Sequence, residues 1–343
     1  MWGIPEGGLT SNLDAPLVDL HGHGRKVTFL RFHPTASNVL ASVSADQTVK
    51  LWDIEKGQEM TSLNEAHREL IQDIVWDYCG NSYATSSKDK AVRIVDARSS
   101  TVTSTIESAH EGSKCVKLTY LGSMDKLVTV GFSKQSQRQF KIWDPRSLGT
   151  ELKKIDIDQA AGSIMPFYDA DTCVLYLAGK GDGNIRFYEM SSDNPYCYPL
   201  SDHRSNVSAK GMAIVPKRGL NIMGCETARL MKLTTNSVEP LSFFVPRKSE
   251  AFQDDIYPDS FSGEASHTSD EWFAGSDMPP RLMSLNPSGA SSVGASSGGA
   301  SSPRTNAKAS FKPITVLTAE LEAANARIKV LEERLAAAGL NTA

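Results

Sequence analysis

Three segments in the first half of the chain repeat one pattern. In each, a turn led by histidine is followed about 30 residues later by a hydrophobic strand that ends in aspartate. The histidines are His23, His67 and His110, which lie 44 and 43 residues apart. A period of about 40 to 45 residues is typical of a four-stranded β-propeller blade. Because one blade cannot bury both of its faces, the repeat predicts stacked blades whose surfaces bind partners.

The first repeat contains a complete set of polar residues expected in a blade. Two strands of alternating character flank a tight turn at Asp46 and Gln47, as a hairpin requires. Blades of the WD type connect a His, a Ser or Thr, an Asp and a Trp by hydrogen bonds. The matching residues are His23, Ser42, Asp46 and Trp52. A set of His, Ser and Asp is also found in hydrolases, but no serine here lies on a sharp strand-to-helix turn, so we expect a structural network.

The next two repeats depart from this pattern. The second has His67, Thr85 and Asp89 but places Val95 at the tryptophan position. In the third, Gln137 stands in place of the turn aspartate. These departures predict weaker or altered networks in those blades.

Composition indicates a soluble intracellular protein. The chain has 343 residues, 40% of them hydrophobic and 22% charged, and a net charge of -4 that argues against general binding to nucleic acid or anionic membrane. The five cysteines include no C-x-x-C pair, which argues against a disulfide framework or a zinc site. No apolar run approaches the ~20 residues of a membrane span, and the first residues do not resemble a signal peptide. We expect no metal or cofactor.

Strand patterns continue after the third repeat, at residues 173–178, 184–189, 211–215 and 228–233. Between the first two lies the glycine-rich segment Gly179-Lys180-Gly181-Asp182-Gly183. A phosphate-binding loop must open a helix, whereas this segment leads into a strand. It therefore predicts a hairpin turn.

Several short strings in these segments resemble a known family. They are Ala109-His110-Glu111-Gly112, Pro166-Phe167-Tyr168-Asp169, Gly179-Lys180-Gly181-Asp182, Pro216-Lys217-Arg218-Gly219-Leu220, Val245-Pro246-Arg247-Lys248-Ser249 and Phe252-Gln253-Asp254-Asp255-Ile256-Tyr257-Pro258-Asp259. In order and spacing they resemble the coronin family. The resemblance implies a seven-bladed propeller, a linker and a short coiled coil. It implies filamentous actin and the actin-related-protein nucleation complex as partners, and a place in the cytoplasm at the actin cytoskeleton and cell cortex.

The start of the chain differs from the family pattern. Residues 1–10 resemble the last strand of the family's second blade. We therefore expect residues 1–285 to form an incomplete WD-repeat β-propeller of about five blades, with the family's extension after the last blade. Such a propeller would leave strand edges unpaired and would lack any actin contacts of the absent blades.

The last part of the chain predicts two further segments. Residues 286–313 are rich in Ser, Gly and Ala and predict a flexible linker. Residues 314–339 show apolar residues at alternating four- and three-residue steps, which indicate a coiled coil; a helix docked on its own propeller is the alternative. Arg327 and Glu332 match the trimer-favouring Arg-x-x-x-x-Glu pattern of short coiled coils. The predicted oligomerisation residues are Leu317, Leu321, Ala324, Arg327, Ile328, Leu331, Glu332 and Leu335.

These features favour a non-enzymatic adaptor that binds actin filaments and oligomerises through its tail. Because actin is acidic, basic surface residues are the candidate contacts. They are Arg25, Lys26, Lys217, Arg218, Arg247 and Lys248. The alternative is a general WD-repeat scaffold for signalling or ubiquitin-ligase complexes. An enzyme is the third possibility, but no paired carboxylates, metal-ligand spacing or nucleophile motif supports it.

Overall fold

The computed structural model describes residues 1–247 and 251–287. Nearly all of its regular structure is β-strand, arranged in five antiparallel sheets of three or four strands that follow one another along the chain, and a sixth sheet of two strands. This confirms the predicted all-β propeller architecture with about five blades. All five cysteines are free thiols.

The first four sheets have four strands each and the fifth has three. The first contains β1 (Val27–Phe32), β2 (Val39–Ser44), β3 (Val49–Asp53) and β4 (Gln58–Leu63). The second contains β5 (Ile71–Trp76), β6 (Ser82–Ser87), β7 (Val92–Asp96) and β8 (Thr101–Ile106). The third contains β9 (Lys117–Tyr120), β10 (Leu127–Phe132), β11 (Arg138–Trp143) and β12 (Lys153–Asp158). The fourth contains β13 (Ile164–Asp169), β14 (Val174–Gly179), β15 (Ile185–Met190) and β16 (Cys197–His203). The fifth contains β17 (Gly211–Ile214), β18 (Glu226–Leu233) and β19 (Val238–Phe244).

The second strand of a sheet is buried on both of its faces. All six residues of β2 are buried, whereas only one residue of the outermost strand β4 is buried. Neighbouring residues of such a strand enter different cores, because side chains alternate across a strand. Tyr83 of β6 packs between the first and second sheets, and Ala84 packs between the second and third. The sheets are therefore held together by a series of apolar layers.

The glycine-rich segment 179–183 forms the predicted hairpin turn, because it joins β14 to β15. Gly181 has a φ of +86°. The corresponding turns of the first and second sheets place Gln47 at +70° and Lys90 at +72°. Gly181 precedes the turn aspartate, whereas Gln47 and Lys90 follow it, so the left-handed residue lies at different positions in these turns.

The first sheet of the row differs from the sheets in its middle. β1 contacts β5 on one side, and its other side is open, with Leu30 55% and Phe32 63% exposed. In β5, by contrast, Ile71 and Ile74 are 1% and 0% exposed. Each middle sheet has a neighbouring sheet on both sides, whereas the open side of β1 has none among the described residues.

Residues 251–287 form an extension that crosses the row of sheets on the face formed by one set of strand ends. It contains the two paired strands β20 (Ser260–Phe261) and β21 (Leu282–Met283) and the helix α1 (Ser269–Phe273). The Tyr257 hydroxyl donates to the Glu226 carbonyl of the fifth sheet at 2.8 Å. At the other end, Ser269 donates to Asp53 of the first sheet at 2.7 Å. The extension therefore connects the last sheet to the first.

The docking of α1 follows from its sequence. Thr268 is the N-cap, and its side chain and that of Glu271 form a capping box. This fixes the helix so that Trp272 points inward, where it is fully buried against Trp76 and His33.

Candidate interaction surfaces

The ends of the strands form two opposite faces. The turn face carries the turns between the second and third strands of each sheet, at residues 45–48, 88–91, 133–137, 180–184 and 234–237. The extension face is the opposite one, which residues 251–287 cross. Because antiparallel strands alternate in direction, successive connections fall on alternate faces.

On the turn face, the four predicted residues of the first blade are joined by hydrogen bonds. The His23 ring lies 3.1 Å from Asp46 Oδ2 through Nδ1 and 2.6 Å from Ser42 Oγ through Nε2. Trp52 Nε1 donates to the same Ser42 Oγ at 2.8 Å. Burial would raise the pKa of Asp46, but hydrogen bonds from Thr48, from the Gly24 amide and from His23 hold it far below its usual value. The network therefore fixes the turn to the strands beneath it.

The second blade uses a different set of partners. His67 Nε2 lies 3.3 Å from Thr85 Oγ1, and its Nδ1 faces the Arg93 guanidinium. Arg93 in turn binds Asp89 at 2.7 Å. The arginine thus connects the histidine to the turn aspartate.

In the third blade the predicted role of Gln137 is wrong. The residue that donates to His110 is Gln139, at 2.9 Å, while His110 Nε2 contacts Thr129 at 2.8 Å. Trp143 Nε1 donates to the same threonine at 2.9 Å. The side chain of Gln139 points from β11 toward the histidine, whereas Gln137 lies in the preceding turn. The hairpin has the same length as that of the first sheet, since Phe132 pairs with Arg138 as Val43 pairs with Val49. Gln139 therefore lies on the strand, where its side chain reaches the histidine.

The surroundings of His67 and His110 favour a structural role for both side chains. Burial lowers the pKa of His67 to about 4 and that of His110 to about 3. Both imidazoles are therefore neutral near pH 7, and both ring nitrogens of each have a partner. Within the described residues, no group of three or more His, Cys, Asp or Glu side chains is placed to hold a metal ion.

The turn face also carries exposed basic side chains that form no ion pair with any described residue. They include Arg25, Lys26, Lys88, Lys134, Lys180 and Lys210. The sequence pointed only to Arg25 and Lys26, because the other four are far apart along the chain. Stacking of the sheets places all of them on one face.

Acidic side chains on this face are of two kinds. Asp89 and Asp182 are bound by Arg93 and Arg138, at 2.7 Å in each pair. Exposed glutamates lie in the connections that precede β5 and β9. Within the turns of the third and fourth sheets, the exposed charged residues are Lys134 and Lys180.

The other predicted basic contacts do not join Arg25 and Lys26. Lys217 is on the extension face, its side chain is 10% exposed, and its ammonium group binds Asp169 and the Thr227 carbonyl. Its prediction as a surface contact is therefore wrong, because the charge is already bound inside the fold. Arg218 is exposed nearby, Arg247 pairs with Asp255, and Lys248 lies outside the described residues. The five predicted residues that the structure describes therefore belong to two opposite faces.

The arrangement of sheets and extension is similar to a solved structure. The WD40 domain from Toxoplasma gondii coronin superposes with a TM-score of 0.79 and 33% sequence identity, covering 83% of this chain and 74% of that one. The chain belongs to the coronin family. A chain in the crystal structure of the mitotic checkpoint complex has a TM-score of 0.53 and 18% identity over 67% of this coronin and 68% of that chain, which shows a shared fold alone.

Relatives that match by sequence are also coronins or coronin-like proteins. This coronin is 39% identical to human Coronin-2A over 293 residues, 42% identical to Dictyostelium discoideum Coronin-A over 285 residues, and 44% identical to the Schizosaccharomyces pombe coronin-like protein crn1 over 272 residues. These matches cover 84%, 83% and 79% of this coronin but 55%, 63% and 44% of the relatives. The chain thus spans about half the length of the relatives that it matches.

Two family patterns match parts of the coronin chain. Residues 15–53 match the WD domain, G-beta repeat, and include the complete network of the first blade. Residues 238–280 match a type of WD40 repeat. In the structure the second segment is not a separate blade, because it begins with β19 and continues into the extension.

The predicted coiled coil of this coronin lies outside the described residues. That applies to Leu317, Leu321, Ala324, Arg327, Ile328, Leu331, Glu332 and Leu335. Within the described ranges, no helix has the length and apolar character needed to cross a bilayer.

Proposed function

We propose that this coronin is a non-catalytic adaptor that binds actin filaments through its turn face and organises the actin cytoskeleton. Membership of the coronin family supports the partner. The observation that carries the choice of surface is the set of exposed basic side chains without ion pairs on the turn face. An acidic filament surface attracts such side chains, and their charge is not already neutralised within the described residues.

The structural networks support this role by making the face rigid. His23, Ser42 and Asp46 fix the turn of the first sheet beside Arg25 and Lys26. A surface whose loops are already ordered loses little conformational entropy on binding. We therefore propose Arg25 and Lys26, together with Lys134 and Lys180, as filament contacts.

Co-sedimentation with filaments tests the proposal. We expect Arg25→Glu with Lys26→Glu, and separately Lys134→Glu with Lys180→Glu, to weaken binding about tenfold, because opposed charges then become like charges. The matched control is Arg218→Glu with Arg281→Glu, which makes the same charge change on the extension face and should bind like the unchanged protein. Binding should also weaken as salt rises from about 50 to 200 mM, since screening shortens the reach of surface charges.

Two results would contradict the proposal. If the turn-face and extension-face variants bind equally well, the turn face is not the contact surface. If the folded protein fails to co-sediment at any salt concentration, the general WD-repeat scaffold is favoured instead.

The same proposal includes assembly and location. The tail, residues 314–339, would join copies of the chain into a trimer, and the actin-related-protein nucleation complex would be a second partner, both on the strength of the family resemblance. A fluorescent fusion should then lie in the cytoplasm along filaments at the cell cortex. Diffuse fluorescence that ignores filaments would contradict it.

A further inference from the structure

A cavity of about 500 Å³ lies on the extension face between the second, third and fourth sheets and the extension. Its deepest aromatic side chains are Trp76 and Tyr120, each 7% exposed. Phe261 and Leu282 form its outer rim and are 47% and 52% exposed. The cavity is therefore open to solvent at a rim that the extension supplies and closed at a floor that the sheets supply.

The charged side chains that line the cavity are all acidic. Asp77, Asp171 and Asp259 line it, and the described lining residues include no Lys, Arg or His. The Asp77 carboxylate already accepts hydrogen bonds from the amides of Gly80 and Ser82. Asp171 differs, because its Oδ2 is buried without a close hydrogen-bond partner among the described residues, although the Ser260 side chain interacts with the same carboxyl group. A buried acceptor of this kind is costly unless a donor reaches it.

The Tyr120 hydroxyl gives a second indication of a missing group. The residue is 7% exposed, and its oxygen is buried without a hydrogen-bond partner that meets normal geometry among the described residues. Aromatic faces together with a carboxylate are the surroundings that favour a cation on an apolar stem. The cavity combines both features.

Charge around the cavity favours a peptide over a small free amine. The extension, residues 251–287, holds seven Asp or Glu residues and a single basic residue of the Lys or Arg type, Arg281. An acidic surface on one side of the cavity attracts a basic chain segment over a distance of about a Debye length. A single small cation would make no use of that wider surface.

We propose that this cavity binds an arginine or lysine side chain presented by a basic peptide segment of a partner protein. The aliphatic stem would lie between Phe261 and Trp76, and the cationic head would donate to the Asp171 carboxylate. The site goes beyond filament binding, because it lies on the face opposite to the proposed actin contacts.

The key carboxylate can be changed without harm to the fold. Burial is the main cause that raises the pKa of Asp171 to about 6; a hydrogen bond from the Ser260 side chain lowers it, the Asp169 charge raises it, and the Lys217 charge lowers it. At pH 7 the carboxyl group is still mostly ionised, but its ionisation costs more in the folded than in the unfolded protein. Asp171→Asn is therefore expected to fold at least as stably as the unchanged protein at that pH.

Fluorescence anisotropy tests the proposal with two labelled peptides of equal length, Gly-Ser repeats that carry either three arginines or three glutamates. We expect the arginine peptide to bind and the glutamate peptide not to bind. Asp171→Asn and Phe261→Ala should each weaken binding of the arginine peptide about tenfold, because a charge-assisted hydrogen bond or an apolar wall is lost. Glu264→Gln is the matched control, since this exposed extension carboxylate lies outside the cavity, and it should change the affinity less than about twofold.

Thermal melting shows that each variant is folded, and filament co-sedimentation of Asp171→Asn should equal that of the unchanged protein. The inference is overturned if the two peptides bind alike, or if Asp171→Asn binds the arginine peptide as well as the unchanged protein does. It is also overturned if Glu264→Gln loses as much affinity as Asp171→Asn, because general surface charge then explains the binding.

Discussion

Ser42 shows how one small side chain can hold a blade together. Its hydroxyl accepts from Trp52 at 2.8 Å and meets His23 at 2.6 Å, while the residue is 3% exposed. Two polar groups, one on β3 and one in the segment before β1, therefore depend on a single buried oxygen. A buried donor that loses its acceptor keeps its desolvation cost.

We expect Ser42→Ala to lower the free energy of unfolding by about 1–3 kcal/mol, because the Trp52 indole N–H and the His23 ring both lose a partner. Urea denaturation measures the change. Ser201→Ala is the control, since Ser201 is exposed on β16 and its hydroxyl has no recorded partner in the described residues. Equal stability of Ser42→Ala and the unchanged protein would contradict a structural role for the network.

Lys217 and Arg218 are adjacent basic residues with opposite environments. The Lys217 side chain is 10% exposed and that of its partner Asp169 is 7% exposed, so the pair is largely removed from water. Arg218 is exposed. Removing one member of a buried pair leaves the other charge uncompensated.

Lys217→Met should therefore destabilise the protein by about 3–5 kcal/mol, because Asp169 stays buried without its cation. Arg218→Met, the same change one residue later, should alter stability by less than about 0.5 kcal/mol. Thermal and urea unfolding of the two variants give the comparison. Similar losses in both would show that Lys217 is a solvated surface residue after all.

Among the elements, the extension contributes most to joining distant parts of the chain. Its helix α1 inserts Trp272 against Trp76 of the second sheet and His33 beside the first. The Arg98 guanidinium lies 4.9 Å from the Trp272 ring centre and donates to the Trp272 carbonyl at 2.8 Å. One short helix thus packs on two sheets that precede it by more than 150 residues.

We expect Trp272→Ala to cost about 3–5 kcal/mol, since it removes a fully buried aromatic side chain and leaves a cavity. The extension should also become more sensitive to limited proteolysis, because its main anchor on the first two sheets is lost. Trp2→Ala is the matched control, as Trp2 is 54% exposed. An extension that stays resistant in Trp272→Ala would mean that its polar contacts alone hold it.

At the scale of the whole molecule, the two faces have different chemistry. The turn face presents exposed lysines from several sheets, and the extension face is covered by an acidic segment with a cavity beneath it. A molecule with two such faces could hold two partners at once. The predicted coiled coil of the tail would in addition join copies of the chain.

Removal of Ile314 to Ala343 should convert the protein to monomers and sharply reduce filament binding. Tethering several weakly binding copies can raise the apparent affinity by roughly 10²–10⁴ through effective concentration, so loss of the tail removes that gain. Sedimentation equilibrium and co-sedimentation measure the two effects.

Two point variants refine the test of the tail. Ile328→Glu, at a predicted core position of the coil, should act like the deletion, whereas Lys329→Glu, at a predicted outer position, should not. A full-length protein that is monomeric at tens of micromolar would exclude the coil. A dimer would exclude only the trimer inferred from Arg327 and Glu332.

The sequence by itself determined the repeat unit and much of its local structure. Histidine spacing, alternating strands and turn residues are local patterns, so the blades, the first network and the hairpin at 179–183 could be predicted. The family resemblance could also be read from short strings. Each of these features is encoded within about one blade of sequence.

Only the tertiary structure decided which residues share a surface. Stacking placed Lys134 and Lys180 on the face of Arg25, although they come from different blades, and buried Lys217 beside Asp169. The extension reached the first sheet through Ser269 and Asp53, 216 residues apart. Contacts of this range depend on how whole sheets pack, because the energy that selects them comes from burial between elements and leaves no period in the sequence.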